Sequence, residues 1–534
     1  MYAQAPLAAK QNGAYYTPHP VAAALVQFAV RAPTDRLLDP ACGDGRFVAC
    51  HANSVGVERD MAAAAIACER APCADVHHYD FFSWAESTNE RFDCAAGNPP
   101  FIRYQTFAGD TRKRALRLCR DLGVWFSGLT TSWAPFLVVT ASLLRPGGRM
   151  AFVVPASIGH APHAAPLVEY LVGRFDEVRI VAVRRKLFPH LSEDCWLLFA
   201  DGFGGATDHI QFVPVERFDD TLACCPAKLV SVDEWRHDWN RRLRPYLLSR
   251  AERSLYQEAA RSESCARFGE IASVGIGYVT GDNEFFHLRP SEAEHWQIPQ
   301  RYLHPTVRNG RALPSQALAS GTVDEWFQSD KPVLLLRLPK DADLPRTVRK
   351  YLDSPRGQAA RCAYKCRNRK PWYSVPDVRV PTFFLTYMAG AAPSLVRNNA
   401  AATCTNALHA VDLHKDEDAD RLVHGWQSSC LKLSCEIEGH PLGGGVLKLE
   451  PKEAARLLLP SPGSALPVGF EREACNAVST LRKWRHCDQS ADERYVVSAP
   501  QLVSKTRRLE WSPDSSAFGA EPFRDLDYSI RLSE

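Results

Sequence analysis

Residues 98–101 read Asn98-Pro99-Pro100-Phe101 and follow a short apolar strand signal, Phe92-Asp93-Cys94-Ala95-Ala96. The tetrad offers one side-chain amide, backbone carbonyls held in place by proline, and an aromatic ring beside them. Those groups can accept hydrogen bonds from an exocyclic amino group and stack against its base. Asn-Pro-Pro alone is also an ordinary turn signal, so the spacing of its neighbours has to decide.

Three earlier stations precede Asn98 at nearly equal intervals. Leu37-Leu38-Asp39-Pro40-Ala41-Cys42-Gly43-Asp44-Gly45-Arg46-Phe47 reads as an apolar strand running into a glycine-rich turn. Ser54-Val55-Gly56-Val57-Glu58 is a second apolar run ending in a carboxylate, and Val76–Phe82 a third, with Asp80 near its end. Strand ends about twenty residues apart are what successive β-α units give, with their carboxyl ends on one edge of a parallel sheet. Gly43 and Gly45 permit a tight turn and close approach of backbone to a ligand. Asp39 and Ala41 belong to the same loop. Glu58 is spaced to accept from a ribose diol. Asp80 is placed to accept from an adenine amino group, with Phe81 to pack on the ring. The glycines do not form Gly-x-Gly-x-x-Gly, and Arg46-Phe47 crowd the place of a pyrophosphate. A nicotinamide dinucleotide therefore fits poorly, and S-adenosylmethionine, which carries no phosphate, fits better.

Upstream, Gly13-Ala14-Tyr15-Tyr16-Thr17-Pro18 precedes the amphipathic run Val21–Ala29. Thr17 followed by Pro18 reads as a helix N-cap with proline at the first helical position. The whole series, from the Tyr16-Thr17-Pro18 segment through the glycine loop to the Asn-Pro-Pro-aromatic tetrad, resembles the gamma-class N6-adenine DNA methyltransferases of restriction–modification systems, of the TaqI-like or Eco57I-like type. The resemblance is specific over roughly the first 200 residues. It implies an α/β fold: a Rossmann-like methyltransferase domain with a seven-stranded sheet, followed by a C-terminal mixed α+β target-recognition domain. It also implies S-adenosylmethionine as cofactor, double-stranded DNA as substrate, and cofactor contacts at Tyr16, Thr17, Asp39, Ala41, Gly43, Gly45, Glu58, Asp80 and Phe81. Asn98, Pro99, Pro100 and Phe101 become the catalytic tetrad, and Phe188 in Leu187-Phe188-Pro189 matches the second aromatic wall of a flipped base. Phe101 stands where the family more often has tyrosine, which leaves stacking intact. Asparagine in the first position favours adenine over cytosine N4, and Cys225-Pro226 runs in the wrong order for a cytosine C5 nucleophile.

The chain has 534 residues, 46% hydrophobic and 23% charged, enough for two or three domains. It has no apolar run of membrane-spanning length and no signal-peptide pattern, so a cytoplasmic, nucleoid-associated protein is expected. Seventeen cysteines are scattered without a Cys-x-x-Cys pair, which favours reduced thiols and no metal site. The net charge is +3, so DNA binding must rest on local clusters: Arg112-Lys113-Arg114 with Arg117 and Arg120, Arg184-Arg185-Lys186, Arg241-Arg242 with Arg244, and the stretch from Arg361 to Lys370. Patterning divides the chain into a catalytic domain (1–235), a linker (236–265), a recognition domain (266–460) and a helical tail (461–534). The recognition domain opens on Ile271–Asn283, where β-formers alternate with glycines, and Pro441–Leu449 resembles another segment shared by such domains. Within it Arg367, Asn368 and Arg369 are the candidates for DNA contact, arginine matching guanine and asparagine adenine, or both gripping phosphate.

A monomer is expected, and a separately encoded restriction endonuclease is a further partner that the resemblance allows. Three alternatives stay open. A bifunctional enzyme would carry a nuclease ahead of the Thr-Pro segment, where only about a dozen residues stand, and shows no Pro-Asp…Asp/Glu-x-Lys constellation downstream. A subunit of a larger phage-defence complex would share these motifs. A non-catalytic DNA-binding relic would not be expected to keep Asp39, Asn98, Pro99 and Pro100.

Overall fold

A parallel run of four strands, with the loops at their carboxyl ends, carries the candidate groups from Asp39 to Asn98. In a computed structural model, which describes residues 17–188, 191, 193–219, 225–340, 343–415, 418–461, 464 and 466–487, these are Leu37–Asp39 (β1), Ser54–Glu58 (β2), Asp75–His78 (β3) and Phe92–Gly97 (β4). They lie side by side in the order β3-β2-β1-β4, each pair parallel. Leu144–Pro155 (β5) continues the parallel run, and Cys195–Phe203 (β7) inserts antiparallel between β5 and Phe175–Val183 (β6). β1, β2 and β4 are almost wholly buried, as strands covered on both faces must be.

The sheet has nine strands, not the expected seven. All seven expected strands are present, but His209–Val215 (β8) pairs parallel with β6, and Lys228–Ser231 (β9) pairs antiparallel with β8. In sequence, residues 206–265 look like a connecting region, rich in charge and tryptophan. β8 nonetheless buries Ile210, Phe212 and Val213, with His209 exposed.

Each face of the sheet is covered by helices. His19–Ala29 (α1) inserts Val21, Ala22, Leu25, Val26 and Ala29 into one core with Leu37, Cys94, Ala96, Ala151 and Val153. On the other face, Phe81–Ser87 (α3) and the apolar Trp133–Ser142 (α5) meet through Phe81 and Phe136, whose rings stack at 5.1 Å, and Trp84 reaches Phe92. Between β2 and β3 runs Met61–Arg70 (α2), N-capped by Asp60. The amphipathic Gly109–Asp121 (α4) follows the tetrad.

The chain divides into two compact units, and the dividing line does not follow the sequence simply. The first holds residues 1–258, 440–443 and 467–486; the second holds 259–439, 444–466 and 487–534. The helix Phe470–Trp484 therefore belongs to the first unit although the chain reaches it last. The second unit is mixed α+β, with a five-stranded sheet that pairs Ala272–Ile276 antiparallel with Leu408–Leu413, and a four-stranded one through Leu303–Val307. The glycine-rich start of this unit is indeed a strand leading into tight backbone. A Cβ at Gly277 would sit 2.3 Å from the Cys404 carbonyl oxygen, and Gly281 has φ +92°. The helical part of the expected tail reaches Trp484, and everything after Cys487 lies outside the described residues. Among the described residues the cysteines are free, no His/Cys/Asp/Glu group could hold a metal, and no helix is long and apolar enough to cross a membrane.

Candidate active site

Strand order places the acids. β1, β2 and β3 are adjacent and parallel, so Asp39, Glu58 and Asp80 emerge in sequence along one rim, with Asn98 next to Asp39 at the end of β4. Asp39 is fully buried, and its Oδ1 accepts from the Ala41 amide at 3.1 Å. Its Oδ2 has no hydrogen-bond partner among the described residues. Burial, with repulsion from Glu58 and Asp44 added, pushes this carboxyl up to about 8. Glu58 Oε2 accepts from the Gly43 amide at 2.9 Å and Oε1 from the Asp60 amide at 2.7 Å. The carboxylate is thereby fixed while each oxygen keeps a further lone pair.

The two loop glycines serve different needs. Gly43 has φ +54° and presents its amide to Glu58. Gly45 has φ +85°, and a Cβ there would lie 2.8 Å from the Ala67 Cα on α2. Its missing side chain thus lets a helix pack on the loop, a role apart from the close ligand approach expected of it. Arg46 does not reach across the loop either. It pairs with Asp44, which also binds Arg70, and donates to the Thr17 carbonyl at 3.1 Å.

Thr17 is the first residue described, and its expected role as helix cap is not observed. Pro18 occupies the N-cap of α1 without a side-chain bond, and Pro20 lies in the first turn. The buried Thr17 hydroxyl instead accepts from Asn98 Nδ2 at 3.2 Å. In this arrangement the Asn98 amide nitrogen lies toward Thr17. Tyr16, expected beside it, lies outside the described residues.

Two residues that no sequence motif singles out hold the tetrad. Gly97 is the last residue of β4, and a Cβ on it would come within 2.6 Å of Asp39 Oδ1. Ser132 is completely buried at the start of α5. It donates from Oγ to the Pro100 carbonyl, accepts from the Ile102 amide at 2.9 Å, and its own amide bonds the Ile102 carbonyl at 3.0 Å. Thr131-Ser132-Trp133 reads as a helix start, so nothing local reveals that the hydroxyl clamps a loop thirty positions back.

The aromatic candidates separate. Phe101 is half-buried against the same apolar cluster that contains Leu187 and Phe188, the latter 8% exposed, so the two expected walls share one neighbourhood. Lys186, donating to the Leu191 carbonyl at 2.7 Å, braces the loop that carries Phe188. Phe81 is buried among Phe82, Trp84 and Phe136 and offers a ligand little more than an edge. Asp80 caps α3, its Oδ1 accepting from the Ser83 amide and hydroxyl at 3.0 Å each, while Oδ2 faces Thr111 Oγ1 at 3.5 Å.

In the second unit the three neighbouring DNA-contact candidates point different ways. Arg367 is exposed and lies over the Tyr364 ring at 5.2 Å. Asn368 donates to the Tyr364 carbonyl at 2.7 Å, closing the short helix before it. Arg369 turns inward and donates to the carbonyls of Val279 and Thr280, fastening the glycine-rich segment. Its burial depresses the guanidinium below its usual range. Of the other basic clusters, Arg242 and Arg244 are buried, with Arg244 on the Leu481 carbonyl at 3.1 Å. Arg184 and Arg185 share Glu216, and Arg114 and Arg117 share Glu86.

Two family models match the chain: N-6 DNA Methylase over residues 1–67, and the C-terminal domain of Type II methyltransferase M.Eco57I over residues 240–492. Type II methyltransferase M.XamI of Xanthomonas campestris pv. amaranthicola is 24% identical over 495 residues, 85% of this chain and 86% of that one. Type II methyltransferase M.AccI of Acinetobacter calcoaceticus is 20% identical over 376 residues, 68% of each. Among solved structures, the type IIG restriction endonuclease BpuSI aligns with a TM-score of 0.42 at 13% identity, covering 89% of this chain and 67% of that one. With a glycine loop, an Asn-Pro-Pro-aromatic tetrad on the adjacent strand and these matches toward both ends, the chain is similar to the N6-adenine DNA methyltransferases of restriction–modification systems.

Proposed function

We propose that Asn98-Pro99-Pro100-Phe101 receives an adenine flipped out of duplex DNA and that the loop from Asp39 to Gly45, with Glu58 and Asp80, holds S-adenosylmethionine. S-adenosylmethionine supplies a methyl group made electrophilic by its sulfonium. The donor set suits it: Glu58 and Asp80 on one rim disfavour a pyrophosphate and suit a cationic ligand with hydroxyl and amino donors. Asp39 Oδ2, buried and without a partner, and Glu58, fixed by two backbone amides, are acceptors of that kind.

The amino nitrogen of adenine is a weak nucleophile because its lone pair is delocalised into the ring. Asn98 Oδ1 and the Pro99 carbonyl accept hydrogen bonds from its two N–H groups, favouring the pyramidal nitrogen and offsetting positive charge as the carbon–nitrogen bond forms. One of those protons is then lost to water, and no covalent enzyme intermediate is required. Thr17 and Ser132 contribute by position: one orients the amide, the other fixes the loop that follows it, and such preorganisation accounts for much of a displacement's acceleration. Phe101 and Phe188 bracket a base that stacking in a duplex would otherwise keep out of reach.

The observation that carries this reading is the Asn98–Thr17 bond, which ties the tetrad to the segment ahead of the glycine loop. Residues 266–460 are assigned target choice, which the M.Eco57I C-terminal match over 240–492 supports, and a separate endonuclease would carry out the complementary restriction. The test is to incubate the full chain with DNA and methyl-labelled cofactor and digest the product to nucleosides. N6-methyladenine is expected; N4-methylcytosine, or no labelled nucleoside, would refute the reading.

A further inference from the structure

The segment 122–131, between α4 and α5, exposes an apolar pair that the fold does not need. Trp125 is 72% exposed and Leu129 49%. The Trp125 ring makes no aromatic contact and no hydrogen bond among the described residues. A tryptophan contributes most when its large surface is covered, so one held outward on an ordered loop points to a partner.

The loop that bears it is fastened to the catalytic loop at several points. Arg112 donates to the Gly128 carbonyl at 2.6 Å and, from the same guanidinium, to the Tyr104 and Phe107 carbonyls at 3.4 Å each. At the far end Ser132 bonds Pro100 and Ile102. Val124 is buried and its amide bonds the Cys119 carbonyl at 2.8 Å, while the Thr130 amide bonds the Ser127 carbonyl at 3.2 Å. Trp125 and Leu129 thus ride on a segment fastened to the loop that carries Asn98–Phe101.

We infer that Trp125, supported by Leu129, is an apolar wedge that enters the base stack of duplex DNA beside the target adenine and stabilises its extruded state. This rests on the adenine-methylating reading above. Apolar side chains driven between base steps partly unstack them, and covering the ring offsets some of that cost. Within the reading, Phe101 and Phe188 receive the base in the pocket, and Trp125 acts on the duplex it has left. It is a positioning residue, since it touches neither the reacting nitrogen nor the methyl group.

The test compares Trp125→Ala with the unaltered protein on two duplexes carrying the target site, mapped beforehand by sequencing methylated DNA. One duplex is fully paired; in the other an abasic site faces the target adenine, so that flipping is already favoured. On the paired duplex the variant is expected to lose about tenfold or more in kcat/KM. On the abasic duplex it should stay within about threefold of the unaltered protein, and Trp125→Phe should restore most of the loss on the paired one. A binding measurement with S-adenosylmethionine alone, expected to be unchanged, checks that the variant is folded. Equal losses on both duplexes, or no loss on either, would overturn the wedge. If the unaltered protein forms no N6-methyladenine on either duplex, the functional reading fails and the wedge with it.

Discussion

The rim of the nine-stranded sheet and the Tyr364–Arg369 stretch of the second unit were both nominated by residue type, yet the structure treats them differently. On the rim, each nominated acid stands at a strand end and occupies the edge that the spacing implies. In the second unit, Arg367 and Arg369 are two positions apart and face opposite ways, one over the Tyr364 ring at the surface, the other fastened to backbone carbonyls inside. A parallel strand fixes direction, because its carboxyl end lies at one edge of the sheet. The end of a one-turn helix fixes nothing of the kind, and which arginine turns inward depends on where a glycine-rich segment distant in sequence leaves its carbonyls unpaired.

The sharpest way to break that contrast is Asn98→Ala. If the rim is the reacting edge, methylation should fall by about a hundredfold or more while cofactor affinity and DNA binding persist, because the amide acts mainly as charge develops on the nitrogen. Rates by nucleoside mass spectrometry and affinities by calorimetry decide it, and a variant that retains normal turnover would take Asn98 out of the chemistry. Glu58→Ala should come next in size, weakening S-adenosylmethionine by about ten- to hundredfold through the loss of a charged acceptor. Unchanged affinity would mean that the ribose lies elsewhere.

Ser132→Ala tests whether positioning counts on the rim as much as chemistry does. Removing a buried hydroxyl that serves the Pro100 carbonyl and the Ile102 amide should cost about 1–3 kcal/mol of stability. Turnover should fall by about tenfold with little change in cofactor affinity. A protein that melts lower but turns over normally would make Ser132 purely structural.

The arginine pair sharpens the other half of the comparison. Arg369→Ala should lower the melting temperature by removing its charged bonds to the Val279 and Thr280 carbonyls, a cost of about 1–3 kcal/mol. Arg367→Ala should leave melting unchanged and weaken DNA binding uniformly, with the salt dependence shallower by about one ion. If the effects are exchanged, the orientation of the loop is the reverse of that described. Should Arg367→Ala relax specificity at one base pair instead, Arg367 reads a base rather than a phosphate.

The last expected effect is on pH dependence. Asp39 titrates at about 8 in the folded protein against an ordinary value of 3.8. A carboxyl raised in this way favours the folded state most below its unfolded value, and that contribution is lost as pH climbs through about 8. The cofactor-free protein should therefore melt lower by a few degrees, about 2–4 °C, from pH 5 to pH 9. Asp39→Asn, neutral throughout, should abolish that slope. An identical slope in the variant would show that Asp39 is ionised in the fold.

Residue order alone determined the parallel strands, the rim they share and the tetrad at the end of one of them. Hydrophobic runs at βα spacing leave little choice of architecture, and catalytic groups then follow at carboxyl ends. Sequence could not show that β8 and β9 extend the sheet, since their apolar residues stand among polar ones much as they do in a connecting loop. It could not show that Thr17 bonds Asn98 rather than capping α1, because a hydroxyl beside a helix start can serve either partner and only packing brings Asn98 within reach. Gly45, Gly97 and Ser132 make the same point from the side of space. What each must be is set by an atom far along the chain (the Ala67 Cα, the Asp39 carboxylate, the Pro100 carbonyl), and those distances exist only once the chain has folded.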